Sequence, residues 1–372
     1  MIYIVVFCLS LLFAFWANQA ANRNNHLVMI VSSLCSILLP VLLAGYRDLS
    51  IGTDTYNYTI IFSNICYCSD FKECVILYPS IEKGYLFLNY LIALISNDTR
   101  VFLTIVHCCI VIPIYVSFFK LRSWLSPVLS LAIFFFVFYN ESYNLTRQYI
   151  SIALMLLATT YYIKHNYLLY VILTIISVSM HNTALLGLFF PAFYYSTKHI
   201  SVKKHMSLYL LLMVVITYVF LNLQRLGFFA TFTSEMSDKY DGYMSGQASV
   251  MSVSNSTLIV YLVVFMLLIL KLFNNKKHSA LLDTFTLMSL LSVIFVNMSS
   301  IARALYRLSL DFSIYSSLSI SMLFQYKNNV LLERRSYPLL IKVLFVLLLI
   351  SYWFFSVVIR GSNDTFPYVI NI

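Results

Sequence analysis

The sequence predicts an all-α, polytopic transmembrane helix bundle of about twelve spans with one short re-entrant segment. Three observations carry that prediction. First, 61% of the 372 residues are hydrophobic and only 10% are charged, against roughly 25% charged in soluble domains. Second, runs such as LVMIVSSLCSILLPVLLA (27–44) and LLIKVLFVLLLISYWFFSVVI (339–359) reach the ~20 residues a helix needs to cross hydrocarbon. Third, the basic residues cluster in short connectors that fall on one side when the spans alternate. Open strands would leave their backbone unsatisfied in lipid, so the spans are helices. Residues 1–372 are read as a single integral membrane domain.

Taken in order, the spans fall near 2–18, 27–46, 101–119, 125–139, 148–163, 167–180, 183–197, 206–222, 257–273, 284–300, 311–325 and 339–359. The first resembles a signal peptide in its small residues Ala17 and Ala20. It lacks the basic leader of such peptides, so an uncleaved span is the reading adopted. GYLFLNYLIALIS (84–96) is apolar but too short to cross alone, which suggests a re-entrant segment. The connectors KLR (120–122), KH (164–165), KHISVKKH (198–205), KLFNNKKH (271–278) and KNNVLLERR (327–335) define the inner face. NESYNLTRQ (140–148), MHNT (180–183), the loop 223–256 and ARALYRL (302–308) then face outward.

Hydropathy leaves two topologies open for the N-terminal part. Twelve spans put residues 47–100 outside, whereas a crossing at 80–96 moves the segment YRDLSIGTDTYNY (46–58) inside. The net charge of +10 follows the inner connectors, so it marks orientation and not nucleic-acid binding. Seven cysteines are present. Cys8, Cys35, Cys108 and Cys109 sit in apolar runs as small hydrophobes. Cys66, Cys68 and Cys74 share one polar connector, where a disulfide is an option on an oxidising face. Histidines at ligand spacing are lacking beside them, so no metal site is expected, and no cofactor is expected either.

Polar groups at a membrane boundary are costly, and each cluster invites a functional reading beside the plain one of snorkelling. Arg303 and Arg307 are four apart, so on a helix they share a face with Asp311. Arginine forks match phosphate oxygens; the plain alternative is an Arg307–Asp311 pair. Arg147 and Gln148 open a span behind Glu141, Tyr143 and Asn144, which suits either a sugar-phosphate contact or an interfacial belt. His181 lies between two spans on the same outer face and titrates near neutrality. His107, inside a span, reads as structural. Gly52 allows a tight turn that presents Asp54. Glu82, Lys83, Gly84 and Tyr85 open the short apolar run. Carboxylates and tyrosines together suit a saccharide site.

In their order along the chain, these elements resemble the EpsG-like branch of the Wzy O-antigen polymerases. The matching residues are Arg47, GTD at 52–54 with Tyr56 or Tyr58, EKGY at 82–85, TRQYISIAL from Thr146, HNTALLGL from His181, and RALYR at 303–307. HNTAL stands where the family pattern more often reads His-Pro-Ser-Ala-Leu, which keeps the His and leaves the next helix start unspecified.

The resemblance implies a GT-C-like bundle in the bacterial inner membrane and places the segment 47–83 on the periplasmic face. The substrates it implies are undecaprenyl-diphosphate-linked glycans. A chain-length regulator is a further implied partner, besides membrane lipid. The roles that follow are diphosphate binding by Arg147, Arg303 and Arg307, and base or acceptor-orienting chemistry by Asp54, Glu82 and His181. Arg47, Tyr56, Tyr85, Gln148 and Tyr306 would contact substrate. A flippase for lipid-linked sugars is the rival reading, but it calls for mid-membrane polar groups and an internal repeat, neither of which the sequence displays. An O-antigen ligase would need the same diphosphate cradle with a different acceptor.

Overall fold

The computed structural model describes residues 2–199, 279–297, 303–325 and 337–370, which divide into two compact units. The first holds the chain up to Leu185 together with Arg335–Ile372 and a short piece at 324–326; the second holds most of 186–334. The described residues are all-helical, apart from one isolated antiparallel bridge between Arg47 and Ile370. Among the described residues, three helices are long and apolar enough to cross a membrane: α1 (Ile2–Asn22), α2 (His26–Gly45) and α6 (Thr99–Lys120). Shorter apolar helices occur at Pro127–Phe138, Tyr167–Met180, Ala280–Val296 and Val343–Ile359. Twelve spans are therefore more than the described helices establish. The expected spans 206–222 and 257–273, and the loop 223–256, lie outside the described residues.

In the first unit, α1 and α2 form an antiparallel hairpin closed by a reciprocal serine clasp. Ser10 Oγ donates to the Ser36 carbonyl at 2.6 Å, and Ser36 Oγ donates to the Ser10 carbonyl at 2.8 Å. Lipid gives no hydrophobic drive to helix pairing, so small polar residues that let backbones approach do that work. Gly45 shows the same economy of space: a Cβ there would lie 2.0 Å from Thr104 Oγ1 of α6. The hairpin of α8 (Thr146–Ile163) and α9 (Tyr167–Met180) repeats the clasp. Ser151 Oγ donates to the Ser177 carbonyl at 3.0 Å, and Ser177 Oγ answers to the Ser151 carbonyl at 2.7 Å.

Residues 47–100, expected as a loop, fold into three short helices: α3 (Thr55–Ile65), α4 (Phe71–Leu77) and α5 (Lys83–Ala93). Ile65, Cys74 and Leu86 form their common core. Helix α4 has only seven residues and depends on its cap. Asp70 accepts from the Glu73 N–H at 2.8 Å, while Glu73 accepts from the Ser69 N–H at 2.7 Å and the Ser69 hydroxyl at 2.8 Å. Those bonds hold the Glu73 carboxyl below its usual range. At 11 residues, α5 spans about 16 Å, half the hydrocarbon thickness, in keeping with the short segment expected there.

Helix α7 (Pro127–Ile133) continues as a π-helical turn over Phe134–Phe138. The helix α14 (Tyr337–Trp353) ends in a similar turn over Phe354–Ile359. Beyond it, residues 361–370 run back as a strap across the segment 46–54 and the turn 139–144. Tyr3 Oη donates to the Thr365 carbonyl (2.9 Å), and Tyr368 Oη to the Leu43 carbonyl (2.8 Å). The Gly52 N–H donates to the Asp364 carbonyl (2.8 Å), and Asn144 Nδ2 to the Asn363 carbonyl (3.0 Å).

The strap encloses Arg47, which is fully buried. Its Nη1 donates to the Ala44 carbonyl at 2.6 Å, and Nε and Nη2 approach Thr55 Oγ1 at 3.4 and 3.3 Å. The guanidinium carbon stands 4.1 Å from the centre of the Tyr143 ring. Tyr143 Oη donates to Tyr139 Oη at 3.1 Å, and Tyr139 Oη in turn donates to the Pro40 carbonyl.

The second unit contains α10 (Phe189–His199), α11 (Ala280–Asn297), α12 (Arg303–Ser313) and α13 (Tyr315–Gln325). Two expected spans differ here. The region 183–197 is a 3₁₀ stretch, Asn182–Leu188, followed by α10. The region 311–325 is not one span: α12 starts eight residues earlier and the helix breaks at Ile314. Arg303, Arg307 and Asp311 depress hydropathy along α12, which hid it from a hydropathy reading. Phe190, Phe285 and Tyr315 stack within this unit, and Thr197 Oγ1 lies 2.8 Å from Thr284 Oγ1.

A desolvated guanidinium over an aromatic ring contributes about 2 kcal/mol, and a lysine keeps neither the stack nor the fork. Arg47→Lys is accordingly expected to destabilise the detergent-solubilised protein by about 1–3 kcal/mol. A fall in the thermal unfolding midpoint checks this; an unchanged midpoint would refute it.

Candidate functional site

The start of α8 is where the site assembles. Arg147 occupies its first turn, following a 3₁₀ turn over Glu141–Tyr143 that the π-helical end of α7 delivers. A helix N-terminus already carries partial positive charge, so a cation placed there needs an anion. Glu82 supplies one: its Oε2 accepts from Arg147 Nη1 at 2.5 Å. The two side chains are 24% and 14% exposed, so the pair is shielded without being sealed. Glu82 stands at the N-cap of α5 with extended backbone and makes no cap bond of its own. Its carboxylate is aimed at Arg147.

Gly84 sets the approach of α5 to α9. A Cβ at Gly84 would lie 2.2 Å from Ser179 Oγ and 2.6 Å from the Ser179 carbonyl oxygen. Because the second contact is backbone, it cannot be relieved by a rotamer change. This crossing brings Glu82 and Tyr85 to the end of α9, two residues before His181. Tyr85 is fully buried, with the Arg147 guanidinium 5.9 Å from its ring centre and the Tyr58 ring at 6.1 Å. Tyr58 Oη donates to the Asn144 carbonyl at 3.2 Å. Tyr56, the tyrosine singled out from the sequence, is 59% exposed. Tyr58 is therefore the member of that pair turned to the site.

Several polar atoms in this region are buried and make no hydrogen bond among the described residues: Arg147 Nε, Tyr85 Oη, Asn89 Oδ1 and Asn144 Oδ1. Buried polar groups are normally satisfied, so a cluster of unmet donors and acceptors marks a place built for something else to bond. Asn89, wholly buried one turn beyond Tyr85, was not singled out from the sequence. A lone amide in an apolar run carries no signal until its neighbours are known. Gln148 is buried beside Arg147. Glu141, also buried, accepts from Tyr149 Oη at 2.9 Å.

His181 is the C-cap of α9 and half-buried. Its Nδ1 accepts from the Thr183 N–H at 3.3 Å and lies 2.9 Å from the Thr183 hydroxyl, so the neutral ring carries its proton on Nε2. Ser151, one turn below Arg147, also reaches the His181 carbonyl at 3.3 Å, binding α8 to the end of α9. Asp54 follows the turn at Gly52, whose φ of +93° admits glycine readily. Asp54 is the N-cap of α3 yet makes no cap bond, and among the described residues its carboxylate has no hydrogen-bond or ion-pair partner. On α3 it stands one turn from Tyr58.

Arg47 sits beneath this surface, not on it, spent on Ala44, Thr55 and Tyr143. Arg303, Tyr306 and Arg307 belong to the second unit, on α12, where the helix confirms their shared spacing; Tyr306 and Arg307 are half-buried. The structure thus gathers Glu82, Tyr85, Arg147 and Gln148 at one end of α8, with His181 on the neighbouring α9.

A family model described as the EpsG family matches residues 30–370. No curated protein and no solved structure gives a significant match.

Gly84→Ala is expected to lift α5 off α9 and part Glu82 from Arg147 while the chain still inserts. The thermal unfolding midpoint of the detergent-solubilised protein should fall by several degrees with normal membrane abundance. Trimming the neighbour as well, in Gly84→Ala/Ser179→Gly, should not restore it, because the carbonyl remains. A double-mutant cycle of Glu82→Gln and Arg147→Gln should return a coupling of about 1–3 kcal/mol in thermal unfolding.

Proposed function

The chain belongs to the EpsG family of membrane proteins of polysaccharide biosynthesis, and from that premise we propose that it is an O-antigen or related surface-polysaccharide polymerase. It joins undecaprenyl-diphosphate-linked oligosaccharide repeat units by glycosyl transfer at the periplasmic face of the bacterial inner membrane. The observation that supports this most is the cluster of unmet polar atoms around the Arg147–Glu82 pair. Sugars present many hydroxyls and a diphosphate presents charge, and this cluster offers partners for both.

In the reaction, a hydroxyl at the non-reducing end of one repeat unit attacks C1 of the reducing sugar of the growing chain. The C1–oxygen bond to undecaprenyl diphosphate breaks, and a single displacement inverts C1. Asp54 takes the hydroxyl proton, since it is half-exposed and its carboxylate is uncommitted. Glu82 is engaged by Arg147 and so orients that cation instead of acting as base. His181, protonated on Nε2, donates to the acceptor and does not abstract from it. Arg147 and the α8 N-terminus stabilise the departing diphosphate; for Arg303, Arg307 and Tyr306 the diphosphate and sugar contacts are proposed from the family resemblance alone. Tyr85 and Gln148 line the sugar side; Arg47 holds the turn that presents Asp54. Side chains provide all the cations the scheme requires, so the mechanism uses no metal.

A base contributes about 10²–10⁴-fold. Asp54→Asn should therefore reduce polymerisation at least a hundredfold with unchanged protein level, and Arg147→Lys should act similarly. The readout is the glycan ladder of a deletion strain carrying each variant. Loss of every rung except the single repeat unit is the expected result. Disappearance of the single unit as well would point to a flippase or ligase and overturn the polymerase reading.

A further inference from the structure

The helices α3 and α4 bring two thiols together that the proposed chemistry does not use. Cys74 is completely buried in the core of the α3–α5 lobe, and Cys68 packs against that core. Cys68 and Cys74 thus share one packed cluster. Each also leans on a nearby carbonyl: Cys68 Sγ is 3.8 Å from the Asn64 oxygen and Cys74 Sγ 3.4 Å from the Asp70 oxygen. Cys66, two residues before Cys68, closes the end of α3. Cys66 is not among the side chains packed against the cluster that holds Cys74, so it is the thiol left over. All three thiols are reduced in the structure.

We propose that Cys68 and Cys74 are a disulfide-forming pair that staples α3 to α4, resting on the outward placement of this lobe in the functional reading above. Oxidising compartments form and keep such bonds. The oxidant is a protein disulfide of the thiol-oxidase class. Burial pushes the Cys74 thiol up to about 12, so the first attack falls to the more exposed Cys68. Its thiolate attacks the oxidant and forms a mixed disulfide, releasing one oxidant thiol. Cys74 then displaces the second, and the S–S bond closes between Cys68 and Cys74. Two protons and two electrons leave the protein, and the oxidant disulfide becomes two thiols. The staple fixes the lobe whose far end presents Glu82 and Tyr85.

The test uses native membranes from cells with and without a periplasmic thiol oxidase. Proteins are alkylated before reduction and analysed by mass spectrometry. Oxidase-proficient cells should yield a linked peptide pair containing Cys68 and Cys74, two fewer alkyl groups than after reduction, and a freely alkylated Cys66. In oxidase-deficient cells both thiols should be alkylated directly. In parallel, a membrane-impermeant amine-reactive ester is applied to spheroplasts and modification is read at Lys72 and Lys83, which are exposed on the same lobe. If those lysines react from outside while Cys68 and Cys74 stay free, the disulfide is wrong and the outward placement stands. If they react only after the membrane is breached, the outward placement falls and takes the disulfide with it. A Cys66–Cys68 link would overturn the pairing.

Discussion

Among the described residues no carboxylate meets the Arg47 guanidinium, which is fully buried in the first unit. Isolated buried charges are expensive, and the fold answers Arg47 with a carbonyl, a threonine hydroxyl and the face of Tyr143. Each of those partners comes from a different place: the end of α2, the start of α3 and the turn after α7. Satisfying one cation therefore fixes three segments against one another. The strap 361–370 adds a fourth, since Tyr368 and Thr365 close over the same group of tyrosines. Disturb the cation and the turn that presents Asp54 loses its footing.

The candidate site inherits its geometry from this arrangement. Gly52 is held by the Asp364 carbonyl, and Asn144 by Asn363, so the strap touches both edges of the region that Tyr58 and Arg147 face. The backbone at 139–144 is aimed by a π-helical turn, a feature that often accompanies functional sites. Trp353 Nε1 donates to Asn140 Oδ1 at 2.7 Å, tying that turn to the end of α14. Two serine clasps and two close-packed glycines hold the hairpins around it. None of these devices is large, and each one removes a direction in which the site could slacken.

Much of this was legible in the sequence where a long apolar run announced itself: α1, α2, α6 and α9 fall within a few residues of their expected limits. The short helix α5 was visible for the same reason. What escaped were features that depend on pairing at a distance. Nothing in EKGY or TRQY says that Glu82 and Arg147 meet across 65 residues. Tyr58 and Tyr56 cannot be told apart until α3 is known to bury one face. Asn89 and the strap left no periodic trace. Arg47 was expected to contact substrate, and its burial against Tyr143 shows only once the turn after α7 is placed. On α12, the charges that suggest a phosphate role are the same ones that lowered hydropathy and concealed the helix start.

The strap also sets an order of events. Tyr368 meets Leu43 across 325 residues of chain, so the two partners leave the ribosome far apart in time. The hairpin of α1 and α2 can enter the membrane early, but its outer end remains unfinished until residues 361–370 arrive. A nascent or prematurely terminated chain would carry Asp54, Glu82 and Arg147 and still present them loosely. Residues 361–370 thus complete the support of the segment 46–54 last.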